Sequence, residues 1–165
     1  MLLKVGLLFL ARQKEQLMRI LIPVDGSKAS EHAVGELIKY LPQWREAPQL
    51  ELLYVQLPVR PSPTIHGVSI DGDALGNYYR KEAETATAKA KEMLTTAKLA
   101  FSEAAAIGEP AEQVCKTAAE KKCDMIWMGT RGMGGFANLL LGSVAMKVLH
   151  RASIPVTLVP MHSEK

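Results

Sequence analysis

DMIWMGTRGMGGFANLLLGSVAMKVL, residues 124–149, decides how this chain folds. Its first five residues, Asp124 to Met128, form a short apolar run of the length and composition of a buried strand. Its last residues, Val144 to Leu149, place Ala145, Val148 and Leu149 at helical spacing. Between them, Gly129 to Ser143 is rich in glycine. Glycines at the carboxyl end of a strand let the backbone turn sharply and come close to a ligand. The first N–H groups of the helix that follows have no partner within it and carry partial positive charge. A strand, a glycine-rich loop and a helix start therefore make an anion site, most often one for phosphate.

Working outward, Arg19 to Asp25 (RILIPVD) is a near-continuous apolar strand of the kind buried on both faces of a parallel sheet. Pro23 falls near its end, where a missing ladder bond costs least. After Gly26-Ser27 a helix places Ala29, Ala33, Val34, Leu37, Ile38 and Leu41 on one face and closes at Pro42. Leu50 to Leu57 is the second strand. Residues 58–76, with three prolines and three glycines, form a long loop, and Tyr78 to Leu99 is helical in composition. Ala100 to Ile107 suits strand or helix by propensity, and its place between two helices favours strand. Gly108-Glu109-Pro110 starts a helix with proline at its first position, burying Ala111, Val114, Cys115 and Ala118 and ending at the basic pair Lys121-Lys122. The last strand is Ile154 to Val159.

Five strands alternating with four helices imply an α/β fold. The expected form is an open, doubly wound, parallel five-stranded sheet with strand order 3-2-1-4-5 and helices on both faces. Ligands of such sheets bind outside the carboxyl ends of the strands where the order reverses, so Asp25 and Gly129 should lie side by side.

Composition limits the alternatives. The chain has 165 residues, 48% hydrophobic and 22% charged, and fits one domain. A formal net charge of +3, with Lys and Arg scattered, does not call for nucleic acid. Cys115 and Cys123 have no His or Cys neighbours at zinc-ligand spacing and read as free thiols of a reducing, cytoplasmic compartment. The apolar run Leu2 to Leu10 falls far short of the ~20 residues that span a bilayer, and no cleavage site follows it, so no membrane partner is expected. Residues 1–17 read as an N-terminal extension, from an upstream start codon or as an added packing element, and residues 18–165 as the domain. His32, His66, His150 and His162 are scattered, with no nucleophile paired to any of them, so no catalytic residue is assigned. Trp44 and Trp127 read as packing residues.

The loop spells Gly129-x-x-Gly132, nine residues, then Gly142-Ser143. It is neither the dinucleotide fingerprint nor the phosphoryl-transfer P-loop, since no glycine is followed by Lys and then Ser or Thr. This pattern, with its strand and helix, resembles the nucleotide-binding signature of the universal stress protein family. MRILIPVDGS at residues 18–27 and LLGSVAMKVLHRASIPVTLVP at 140–160 resemble that family's first strand and its closing helix and strand. The resemblance runs from Met18 to Pro160 and points to the ATP-binding branch.

It implies bound ATP, or ADP or AMP, with Mg²⁺ or Mn²⁺ as accompanying ions and the protein's metal residues unknown. Gly129, Gly132, Gly142 and Ser143 would cradle phosphates and ribose, with a further N–H from Val144. Asp25 would face the adenine or ribose, and Pro23 and Val24 would form an apolar wall. Backbone groups of Val55 would read the adenine edge, and Met128 would pack near the base. Arg131 reads equally as a phosphate partner or a solvated surface arginine. Ligand contact is the favoured role for Asp25 over that of a helix N-cap. The resemblance further implies a regulatory ATP binder in stress responses and a homodimer paired through Ile154 to Val159. A slow ATPase or nucleotide-dependent enzyme on the same fold, or a scaffold binding only a protein, are the rival readings.

Overall fold

The computed structural model describes residues 17–58, 72–132 and 141–161. The elements are β1 (Arg19–Val24), α1 (Lys28–Tyr40), β2 (Gln49–Gln56), α2 (Gly72–Thr96), β3 (Phe101–Ile107), α3 (Pro110–Glu120), β4 (Met125–Gly129), α4 (Ser143–Arg151) and β5 (Val156–Val159), with a 3-10 turn at Leu41–Gln43. All strand pairs are parallel and the order is β3-β2-β1-β4-β5. The sheet is the one expected from the alternation of strand and helix.

Alternation along each central strand divides the apolar side chains between two faces. Ile20, Ile22 and Val24 of β1 join Leu50, Leu52 and Trp127 on the face covered by Ala33, Val34 and Leu37 of α1 and Ala90 and Leu94 of α2. Leu21 joins Leu53, Ile126 and Met128 on the face covered by Ala111, Val114 and Ala118 of α3 and Ala145 and Val148 of α4. Burial on both sides explains why β1 and β4 read as continuous apolar runs. Trp127 is a packing residue: its indole N–H donates to the Ala33 carbonyl at 2.8 Å, and its ring lies 6.1 Å from that of Tyr40.

Several boundaries differ from the sequence reading. Gly72 and Gly76, expected in a loop, lie in α2. A glycine inside a helix costs roughly 1 kcal/mol relative to alanine; over 25 residues, packing through Thr87, Ala90 and Leu94 outweighs that. Residues 59–71 of the expected loop, and residues 1–16 of the expected extension, lie outside the described residues. β5 starts at Val156 because Pro155 has no N–H to donate, although its carbonyl accepts from Ile126 N at 3.0 Å. Lys121 does more than complement the α3 dipole, since its ammonium lies 3.1 Å from the buried carboxylate of Glu51. Cys115 is half-buried rather than buried, while Cys123 is buried; both are free thiols.

Candidate functional site

The site begins where β1 ends. Asp25 follows Val24, and Gly26 turns the chain at φ +77°, a conformation open to glycine. A side chain at Gly26 would also press on α2, its Cβ falling 3.1 Å from Ala86 Cα. Asp25 Oδ1 accepts from the backbone N–H of Ser27 at 3.0 Å and from its hydroxyl at 2.6 Å. Ser27 is the N-cap of α1, its Oγ accepting from Ser30 N at 3.2 Å. Asp25 is therefore not the cap; it orients the residue that is. Its second oxygen, Oδ2, lies 2.5 Å from where a Cβ on Gly132 would stand. Asp25 and the glycine loop are thus neighbours, as the reversal of strand order between β1 and β4 requires.

The loop leaves β4 at Gly129, whose missing side chain lets α1 approach: a Cβ there would fall 2.8 Å from the Ala29 carbonyl oxygen. Thr130 N–H donates to Val159 O at 3.1 Å and its carbonyl accepts from Gly142 N–H at 2.6 Å. These two bonds tie the loop's beginning to β5 and its end to its beginning. Residues 133–140 lie outside the described residues. Gly142 is the N-cap of α4 in an extended conformation and offers no side chain to the helix. The first-turn N–H groups of α4 accordingly have no side-chain acceptor from their cap, unlike those of α1 and α3.

Above these strand ends lies a cavity of about 380 Å³, within the ordinary range for small-molecule sites. Pro23, Val24, Asp25, Val55, Met128 and Gly129 line it from the strand ends, and Arg131, Gly132, Gly142, Ser143 and Val144 from the loop and α4. All eleven residues singled out in the sequence meet there. Ser30, Leu53, Pro110, Val114, Thr130 and Ala145 also line it. Thr130 and Ala145 stand between or beside residues already chosen, so their neighbours were the available signal. Pro110 and Val114 had none, because only the crossing of α3 over the sheet brings its first turn to the β1 and β2 ends.

The cavity is apolar on its β2 and α3 sides and polar on the loop side. Arg131 Nε is buried and has no hydrogen-bond partner among the described residues. A buried guanidinium nitrogen without an acceptor is costly. His32 and His150 do not line the cavity. Burial pushes the thiols of Cys115 and Cys123 above their ordinary value, which suppresses the thiolate at neutral pH. Among the described residues no group of three or more His, Cys, Asp or Glu is placed to hold a metal ion. Nor is any helix among them long and apolar enough to cross a membrane.

A doubly wound parallel sheet with a cavity at its switch point defines the class: an α/β protein of the open, five-stranded kind. The profile of the universal stress protein family matches residues 17–160, and the chain belongs to that family. Universal stress protein MJ0531 of Methanocaldococcus jannaschii is 32% identical over 143 residues, covering 86% of this chain and 81% of the relative. Among solved structures, the hypothetical protein MJ0577 superposes with a TM-score of 0.72 at 26% identity, covering 89% of this chain and 98% of that one. A universal stress protein in complex with cAMP gives 0.57 at 23% identity, over 86% of this chain and 96% of that one. The Arabidopsis thaliana family member At3g01520 with AMP bound gives 0.60 at 13%, over 86% of this chain and 90% of that one.

Proposed function

We propose that the cavity holds an adenine nucleotide, ATP foremost, and that this universal stress protein is a regulatory nucleotide binder rather than a fast enzyme. The observation that carries this reading is the open N-terminus of α4 at a cavity that Arg131 also lines. The N-terminus of α4 lacks a capping side chain, and Arg131 brings a cation to the same lining. A phosphate chain answers both. Gly129, Gly132, Gly142, Ser143 and Val144 would surround it, with Arg131 as its cation. The apolar surfaces of Pro23, Val24, Val55 and Met128 suit a base, and Asp25 suits ribose hydroxyls, which donate to a carboxylate. Family members of this fold with bound cAMP and AMP support the nucleotide class. A Mg²⁺ or Mn²⁺ ion would arrive on the phosphates.

Nothing in the loop supplies the lysine that marks a P-loop, which favours holding over turnover. β5 is an edge strand whose Val156, Thr157 and Leu158 are half-buried, and pairing with a second copy through it would cover that edge, giving a homodimer. Two free thiols fit a cytoplasmic setting.

The test is mass spectrometry of nucleotide released from the denatured protein, followed by calorimetric titration with ATP, ADP and AMP. Co-purified or titrated adenine nucleotide is expected. No heat and no change in melting temperature with any of them would refute the reading. Phosphate release at about 1 s⁻¹ or faster would make the protein an enzyme instead.

A further inference from the structure

We infer that Pro110 is a specificity-determining residue: with Val114 it gives the base end of the cavity a wall without a hydrogen-bond donor, which selects adenine, the nucleobase that carries no carbonyl oxygen. This rests on the nucleotide reading of the cavity and names the feature that chooses among nucleotides. Two observations place the first turn of α3 at that end. The N–H of Gly108 donates to the carbonyl of Gln56 at 2.9 Å, which ties the entry to α3 to the end of β2. Val114 then packs in one apolar cluster with Leu53 and Val55, the β2 residues that line the cavity.

Two helix starts reach the cavity, and they differ in what they offer. At α4 the cap is Gly142, whose lack of a side chain leaves the first-turn N–H groups open to a ligand. At α3 the corresponding groups are withdrawn. Pro110, at the first helical position, has no N–H. Glu109 takes the N–H of Glu112 through Oε2 at 2.8 Å and that of Gln113 through its carbonyl at 3.0 Å. Val114 adds an apolar side chain, 1% exposed, and its own N–H lies inside the helical ladder. Pro110 and Val114 are the α3 residues that line the cavity, so neither presents a donor to it. Guanine carries a carbonyl at its 6-position and the pyrimidines carry carbonyls of their own, whereas adenine offers an amino group and ring nitrogens. A carbonyl oxygen turned to this wall gives up water and gains no donor, a cost that adenine escapes.

The test is calorimetric titration of the full chain with ATP, inosine triphosphate and inorganic tripolyphosphate. Inosine triphosphate keeps the ribose and phosphates of ATP and exchanges its 6-amino group for a carbonyl. Wild type is expected to bind ATP about 30-fold more tightly, the order of effect of one unpaired buried carbonyl. Pro110→Ala restores the N–H with a residue that suits a helix start, and should lower that ratio about fivefold while tripolyphosphate affinity stays within about twofold. Val114→Thr keeps the volume and puts a hydroxyl in the same wall; it should lower the ratio likewise, and it decides alone if Pro110→Ala fails to fold. A wild-type ratio near one overturns the inference, as does a ratio left unchanged by Pro110→Ala in a protein that still melts cooperatively. Equal losses of ATP and tripolyphosphate in the variants also overturn it, because the first turn of α3 would then lie at the phosphates. ATP binding with an unmoved ratio leaves the nucleotide reading standing and removes only the role of Pro110. If wild type binds tripolyphosphate and neither nucleotide, the nucleotide reading fails and the inference falls with it.

Discussion

Replacing Gly142 with valine separates the fold from the ligand. Gly142 is extended, at φ −74° and ψ 158°, which a β-branched residue adopts without strain. A Cβ there would stand 3.2 Å from Thr130 O and 3.4 Å from Arg131 Cα, so the loop base must yield by a few tenths of an ångström. Overpacking of this kind costs about 1–2 kcal/mol, or roughly 2–8 °C in melting temperature for a domain of this size. The effect on binding is larger, because the two methyl groups enter the space in front of the first N–H groups of α4. Hydrogen bonds to a charged group contribute about 1.5–3 kcal/mol each. Losing one or two of them amounts to about 3 kcal/mol, or roughly 150-fold in Kd. Calorimetry with ATP, beside differential scanning of the free protein, measures both quantities. An ATP affinity within about threefold of wild type, in a variant that still melts cooperatively, would show that the α4 N-terminus does not hold the phosphates.

Asp25→Ala should weaken ATP by about tenfold while leaving inorganic tripolyphosphate nearly unchanged, because a carboxylate accepts from ribose hydroxyls and has no donor for a phosphate; equal losses would place Asp25 elsewhere in the complex. Trp127→Phe removes the donor to the Ala33 carbonyl and part of a buried ring, and should lower stability by about 1–3 kcal/mol in urea unfolding with little change in m. Glu109 is held below the ordinary carboxylate value of 4.5, so its contribution to stability is present above that pH and is lost as pH falls through the lower folded value. The melting-temperature gap between wild type and Glu109→Gln should thus close on acidification below about pH 4. A gap that persists unchanged into strong acid would mean that the pairs with Lys147 and Arg151 contribute nothing to stability.

Much of the architecture is legible along the chain. Continuous apolar runs at β1 and β4 signal strands covered on both sides, and Ala29, Ala33, Val34 and Leu37 state the helical period of α1. The switch-point rule places the ends of β1 and β4 together, so Asp25 and Gly129 were legible as neighbours, while the other residues singled out, which also line the cavity, came from the family resemblance. Local pattern failed where tertiary contacts overrule it. Gly72 and Gly76 read as loop, yet lie in a helix held by packing further along. The alternative reading of Asp25 as the N-cap also gave way: the cap is Ser27, and Asp25 orients it.

What the amino-acid order determined by itself is the alternation of strands and helices, the parallel sheet that follows from it, and the glycine spacing of residues 129–142, since all three depend on local period and backbone freedom. What only the tertiary structure decided is the company those glycines keep. The first turn of α3 lies across the cavity, Arg131 Nε is left without an acceptor among the described residues, and Glu109 draws Lys147 and Arg151 to itself from 38 and 42 positions away. The physical reason is that charges and cavities respond to distance in space, and a chain that crosses its own sheet brings together side chains that no sequence window contains.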